Sequence, residues 1–170
     1  ISEISGNHNG KLELAIELVR KAAKNGTDLV KLQTYEASSL TLNSSRPEFY
    51  IRGKKSLWKN NNLFKLYNKG STLKEWHYKI FEEAKKYKVE CFSSIFDEND
   101  IDFLEKLKVP AYKIASFESN HYPLIQKVIK TKKPLLISTG LNSLKEISEL
   151  VKFLNKNNCK KFALLKCTSA

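Results

Sequence analysis

Apolar positions follow two alternating rhythms along the chain. Short β-branched and apolar runs of strand length occupy residues 1–5, 28–33, 89–94, 111–115, 135–138 and 162–167. Between them, residues 12–24, 73–87, 99–107, 122–130 and 144–155 carry the 3.6-residue period of amphipathic helices. In the first of these, Leu12, Ala15, Ile16 and Val19 form one stripe, and Gly26 stands where a left-handed cap is wanted. Thr72 with Glu75 and Ser143 with Glu146 each match the S/T-x-x-E capping box. Six strands and five helices in alternation predict repeated βα units on a parallel sheet.

That pattern suits either an open doubly wound sheet or an incomplete (β/α)8 TIM barrel. The polar clusters favour the barrel. SGNHNG, KLQTY, SSIFD, KIASFE, STG and KCTSA each follow a strand run. A barrel builds its site from the C-terminal ends of many strands, whereas an open sheet uses one crevice. The expected fold is therefore an α/β barrel, present here as about six βα units. The connection over residues 34–71 is far longer than ordinary βα loops and contains Phe49, Tyr50, Trp58, Phe64 and Tyr67. An ordered flap on the substrate side is expected there.

Two lysines, Lys31 in LVKLQT and Lys113 in AYKIAS, interrupt otherwise apolar strands. Buried lysine is costly unless paired or neutral, so each either snorkels to the rim or serves an anion site. Two of them converging on one barrel mouth favour the anion site; Lys166 is a weaker third case. Glu3 and Glu118 lie at strand ends, where a carboxylate either handles a proton or forms a structural ion pair. Ser116, Ser138, Thr139 and Gly140 offer hydroxyl and backbone donors suited to phosphate or carboxylate. His8, in the first loop, is a site candidate by position, and His77 reads as a packing or surface residue. The three histidines lack metal-ligand spacing, and neither a hydrolase triad motif nor GxGxxG occurs.

Composition narrows the classes. The 41% hydrophobic content over 170 residues supports one core, and no window reads as a membrane span. Cys91, Cys159 and Cys167 lie in or beside apolar runs without CxxC spacing, as reduced thiols do, so a cytoplasmic location is expected. The net charge of +12 raises nucleic acid as a partner, but only three of the thirty basic residues are arginine, the residue suited to bidentate phosphate and guanine recognition. The lysines mix with glutamates on helical faces, as in EEAKKYK, so no nucleic-acid partner is expected. The start at Ile1 and the stop at Ala170 both read as cuts.

Taken together, EISGNHNG, VKLQTY, CFSSIFDENDIDFLEKLKVPAYKIASFE, PLIQKVIKTKKPLLISTGLNSLKEI and LLKCTSA resemble the sialic acid synthase family over essentially the whole chain. The resemblance implies a barrel that condenses phosphoenolpyruvate with an N-acetylated amino sugar, for nonulosonic acid biosynthesis and surface glycans. Within the family, the long connection looks most like members taking 2,4-diacetamido-2,4,6-trideoxy-altrose. N-acetylmannosamine and the legionaminic acid precursor are the alternatives, with a Schiff-base aldolase using Lys113 and a non-enzymatic polyanion binder as further rivals.

By the same resemblance, Lys31, Ser94, Lys113, Ser116 and Ser138 would hold the phosphate and carboxylate of phosphoenolpyruvate. Glu3 would face the reaction centre, with Gln33, Glu118 and Ser169 toward the amino sugar. A divalent metal, typically Mn2+, is implied, with ligands beyond Ala170, where two more βα units and a C-terminal antifreeze-like domain of a homodimer would follow. Ile95 and Leu73 depart from the family, which usually has proline at the first place and often at the second. On this reading residues 1–170 are a truncated N-terminal synthase domain, inactive and aggregation-prone alone because two sheet edges stay unpaired.

Overall fold

In the computed structural model, which describes residues 1–53 and 55–167, strands and helices alternate along the chain. In order they are β1 (Ser2–Glu3), α1 (Leu12–Lys24), β2 (Leu29–Thr34), α2 (Ala37–Leu40), α3 (Leu63–Gly70), α4 (Lys74–Lys86), β3 (Glu90–Ile95), α5 (Asp100–Lys106), β4 (Tyr112–Ile114), α6 (Tyr122–Lys130), β5 (Leu135–Ser138), α7 (Leu144–Lys156) and β6 (Phe162–Leu165). All neighbouring strands pair in parallel, and their order across the sheet is β1-β2-β3-β4-β5-β6.

That order settles the fold class. A doubly wound sheet reverses direction at a switch point, while right-handed crossovers that never reverse place every helix on one face. The sheet therefore curls into an incomplete barrel with helices outside and a concave face inside. Among the described residues no helix is long and apolar enough to cross a membrane.

Alternation along the strands sorts side chains between the two faces. Val30, Leu32, Cys91, Ile95, Tyr112, Ile114, Leu135 and Ile137 point to the helices and are buried. Around β1 to β3, Ile4, Val30 and Leu32 pack with Ala15 and Val19 of α1 and Ile80 and Ala84 of α4. A second cluster joins β3, β4 and β5 to Leu104, Leu124, Val128 and Leu150 of α5 to α7. Ile80 is fully buried, so Ile80→Ala would cost about 2–5 kcal/mol.

Helix ends follow the sequence in one case and correct it in another. Ser143 accepts from the Glu146 amide while the Glu146 carboxylate accepts from the Ser143 amide, the expected capping box. Thr72 does not cap α4, whose N-cap is Leu73; its hydroxyl bonds His8 instead. Gly26 has φ +79°, and Thr27 N donates to Ala22 O at 3.3 Å to close a Schellman turn. The same closure recurs with Lys88, Lys108 and Asn158 in left-handed geometry, before Val89, Val109 and Cys159.

Among its described residues the long connection carries regular structure, and it starts from the C-terminal end of β2. It contains α2, a 3-10 turn at Pro47–Phe49, a bridge between Tyr50 and Asn62, and α3. Tyr35 anchors it, packing edge-on against Tyr67 and Phe96.

Candidate active site

Strand register builds a polar row on the concave face. Glu3 lies opposite Lys31, Gln33 opposite Ser94, and Ser94 opposite Lys113; Ser138 is two residues beyond Leu136, the partner of Lys113. Register partners share a face, so these six side chains from five strands point into the same space.

Each lysine reaches along its row to a serine of the next strand. Lys31 Nζ donates to Ser94 Oγ at 2.9 Å and forms an ion pair with Glu3 Oε2. The other Glu3 oxygen accepts from the Ser5 hydroxyl at 2.8 Å and from the Ser5 amide at 3.2 Å. Ser5, in left-handed geometry with φ 46°, thus orients Glu3; sequence reasoning missed it, although it sits within the polar cluster that closes β1. Lys113 Nζ donates to Ser138 Oγ at 2.6 Å and to Ile114 O at 2.7 Å.

Lys113 is 7% exposed and has no carboxylate partner within ion-pair distance among the described residues. Burial lowers its pKa to about 8, and the Lys31 ammonium adds to that, while Cys167, Glu3 and Glu118 push it back up. Glu118 ends a 3-10 turn at Ser116–Glu118 beside the row. Its Oε2 is buried without a hydrogen-bond partner, and burial raises its pKa. Ser116 Oγ accepts from the Gly140 amide at 3.3 Å. Gly140 is required by space: a Cβ there would overlap the Cys167 carbonyl, so the loops after β5 and β6 approach as only glycine permits.

Of the residues read from the sequence, Glu3, Lys31, Gln33, Ser94, Lys113 and Ser138 share the concave row, and Ser116 and Glu118 adjoin it on the following loop. Ser169 lies outside the described residues. His8 is corrected: it is fully buried, accepts from the Gly10 amide at Nδ1 (3.1 Å) and bonds Thr72 Oγ1 through Nε2 (3.0 Å). It fastens the first loop to the start of α4. His77 is a packing residue on the helix side, with Nδ1 donating to Leu73 O and Nε2 facing Thr34 Oγ1 at 2.9 Å. Lys166 is exposed.

No group of three or more His, Cys, Asp or Glu among the described residues could hold a metal ion. His8 and His77 use both ring nitrogens internally. These residues do not fit a divalent cation.

The profile of the NeuB family matches residues 18–170. The chain belongs to the NeuB family. It is 42% identical over 170 residues to pseudaminic acid synthase of Campylobacter jejuni strain 81-176, covering all of this chain and 49% of that relative. The N,N'-diacetyllegionaminic acid synthase of Legionella pneumophila is 36% identical over 173 residues, covering 99% and 48%. The chain thus spans about half the length of the curated relatives it matches. In fold it superposes on the N-acetylneuraminic acid synthetase of Leptospira borgpetersenii with a TM-score of 0.83 at 23% identity, over 99% of this chain and 53% of the other.

Proposed function

We propose that this NeuB-family chain forms the phosphoenolpyruvate-binding part of a nonulosonic acid synthase, specifically a pseudaminic acid synthase taking 2,4-diacetamido-2,4,6-trideoxy-altrose. The observation that carries the reading is the pair of lysine–serine contacts, Lys31 with Ser94 and Lys113 with Ser138, on one concave face. Two ammonium groups and two hydroxyls fit a small molecule bearing both a carboxylate and a phosphate. The choice of sugar is supported by 42% identity to a pseudaminic acid synthase against 36% to a legionaminic acid synthase.

In the proposed reaction, C3 of phosphoenolpyruvate attacks the aldehyde carbon of the open-chain sugar and a C–C bond forms. The aldehyde oxygen takes a proton. Water adds at the cationic C2 and loses one proton; the C2 hydroxyl then gives its proton to the departing phosphate as the bond from C2 to the phosphate oxygen breaks, leaving a 2-keto acid. Lys31, Lys113, Ser94, Ser116 and Ser138 hold the anionic groups, so positive charge is already in place when phosphate departs. Glu3, fixed by Ser5 and Lys31, stands at the reacting end. Gln33, half-buried, and Glu118 with its unpartnered oxygen are assigned to the sugar side. A divalent cation is kept in the proposal with ligands outside the described residues, and no step above passes through it.

The test is phosphate release by the full-length protein with phosphoenolpyruvate and manganese. The altrose derivative or N-acetylmannosamine serves as acceptor. Release with the altrose sugar alone is expected. Release only with N-acetylmannosamine would keep the synthase and overturn the sugar. None with either would overturn the synthase reading.

A further inference from the structure

Most of the chain's net charge falls in its last third. Between Ser119 and Ala170 there are ten lysines against two glutamates, a net of +8 out of the chain's +12. α6 contains no acidic residue at all. The two glutamates, Glu146 and Glu149, lie in the first half of α7, at the end nearest the concave site.

At the opposite end of the same two helices, the turns leading into β5 and β6 enclose a cleft of about 490 Å³. Lys130, Lys132, Lys133, Lys160 and Lys161 line it, with no carboxylate in its walls. Gln126, Asn157 and Asn158 add amide groups, and Ile129 supplies an apolar wall. Lys133 is anchored from behind: Glu105 accepts its Nζ at 2.7 Å and the Tyr112 hydroxyl at 2.7 Å. The other four lysines are exposed and enter no ion pair among the described residues.

A plain structural role accounts for part of this. Lysines near helix C-termini offset the negative end of the helix dipole, worth about half a charge per helix. Two helices end here, so roughly one unit of negative charge faces four ammonium groups without carboxylate partners. The excess of positive charge remains, and it is focused by a concavity rather than spread on a flat surface.

We infer that this cleft, at the N-terminal end of the barrel strands, binds a phosphorylated small molecule of nucleotide size, separately from the concave site. The phosphate chain would lie among Lys130, Lys132, Lys160 and Lys161. The amides of Asn157 and Gln126 and the Ile129 wall would hold the uncharged part. A small ligand is favoured over nucleic acid because five lysines line a single cleft, and no arginine is among its lining residues.

The experiment is calorimetric titration of the full-length protein with tripolyphosphate and with ATP, at physiological ionic strength. Three proteins are compared: the natural one, Lys130→Ala/Lys160→Ala/Lys161→Ala, and Lys113→Ala. The triple variant is expected to lose at least about tenfold in affinity for both probes, while Lys113→Ala keeps the cleft's affinity. Lys160→Arg/Lys161→Arg is expected to retain binding, which separates lost charge from lost folding. Binding abolished by Lys113→Ala but kept by the triple variant would overturn the inference, because the probes would then occupy only the concave site. No measurable binding of either probe would also overturn it. Tighter, steeply salt-dependent binding of a single-stranded oligonucleotide, lost in the same triple variant, would replace the small ligand with nucleic acid.

Discussion

Lys113 and Ser138 meet across the β4–β5 pair, with Nζ donating to Oγ at 2.6 Å, and the serine is the only side-chain acceptor that this buried ammonium has among the described residues. Among the described residues no carboxylate stands within ion-pair distance of this cation.

Lys113→Met is therefore expected to raise stability while weakening phosphoenolpyruvate binding. The lowering of the Lys113 pKa to about 8 corresponds to about 3 kcal/mol against the charged form, of which roughly 1–3 kcal/mol should be recovered by methionine. The sign follows from proton binding. Below pH 8 the lysine is charged in folded and unfolded states, so the full destabilisation is present. Between pH 8 and 10.5 only the unfolded state keeps the proton, and the destabilisation fades. Urea unfolding of both proteins at pH 7 and pH 10 checks this; a gap that does not shrink at pH 10 would count against it. Affinity for phosphoenolpyruvate should likewise fall above about pH 8 in the natural protein, as Lys113 loses its charge.

Glu118 presents the converse case. Its Oε2 is buried without a partner, and burial raises its pKa. A carboxylate with a raised folded pKa destabilises the fold when it is ionised and not when it is protonated. Glu118→Gln is thus expected to raise the melting temperature at pH 7 and to leave it unchanged at pH 4. Equal effects at the two pH values would show that shape rather than charge is responsible. Loss of turnover in the same variant would assign the carboxylate to the reaction.

The alternation of strands and helices was legible because periodicity acts locally: α1, α6 and β5 have the bounds that the sequence pattern predicts. The remaining strands and α4, α5 and α7 shift by a few residues at most, since fraying ends leave little pattern. Lys31 and Lys113, being charges inside apolar runs, were legible as a pair for the same reason, and register puts both on the concave face. Two things were not legible. Register, which puts Ser94 between Gln33 and Lys113, depends on pairs 61 and 19 residues apart in sequence. Local motifs also mislead when a distant group competes, as at Thr72, whose capping signature is overridden by the buried ring of His8. α2 and α3 escaped notice because each is too short to establish a period.

His77 should make stability depend on pH below neutrality. Burial lowers its pKa to about 4, and its ring is locked between Leu73 O and a hydroxyl relay through Thr34 and Ser93. From pH 6.5 down to about 4 the unfolded chain binds a proton that the folded one refuses, so stability present above pH 6.5 is lost as pH falls. The full effect is about 3 kcal/mol. Because carboxylates and His8 also titrate, the informative quantity is the difference between natural protein and His77→Gln. That difference should shrink by roughly 1–3 kcal/mol between pH 7 and pH 4.5. A constant difference would mean that His77 stays unprotonated in both states or charges freely in the fold.

The repeated left-handed helix ends carry the last prediction. Lys108 has φ 57° at the end of α5, and Val109 N donates to Leu104 O at 3.4 Å to close the turn. A left-handed non-glycine residue costs about 1–2 kcal/mol. Glycine removes that strain but gives back about 0.4–1 kcal/mol through unfolded-chain entropy. Lys108→Gly should therefore stabilise the protein by about 0.5–1 kcal/mol, or a few degrees in Tm. Gly26, with φ +79° and open space around its Cα, supplies the control: Gly26→Ala meets no side chain, yet should destabilise by about 1 kcal/mol from backbone strain alone. Differential scanning calorimetry of the two variants decides the point. Opposite shifts would show that backbone conformation governs these turns. Two shifts of the same sign would mean that side-chain contacts do.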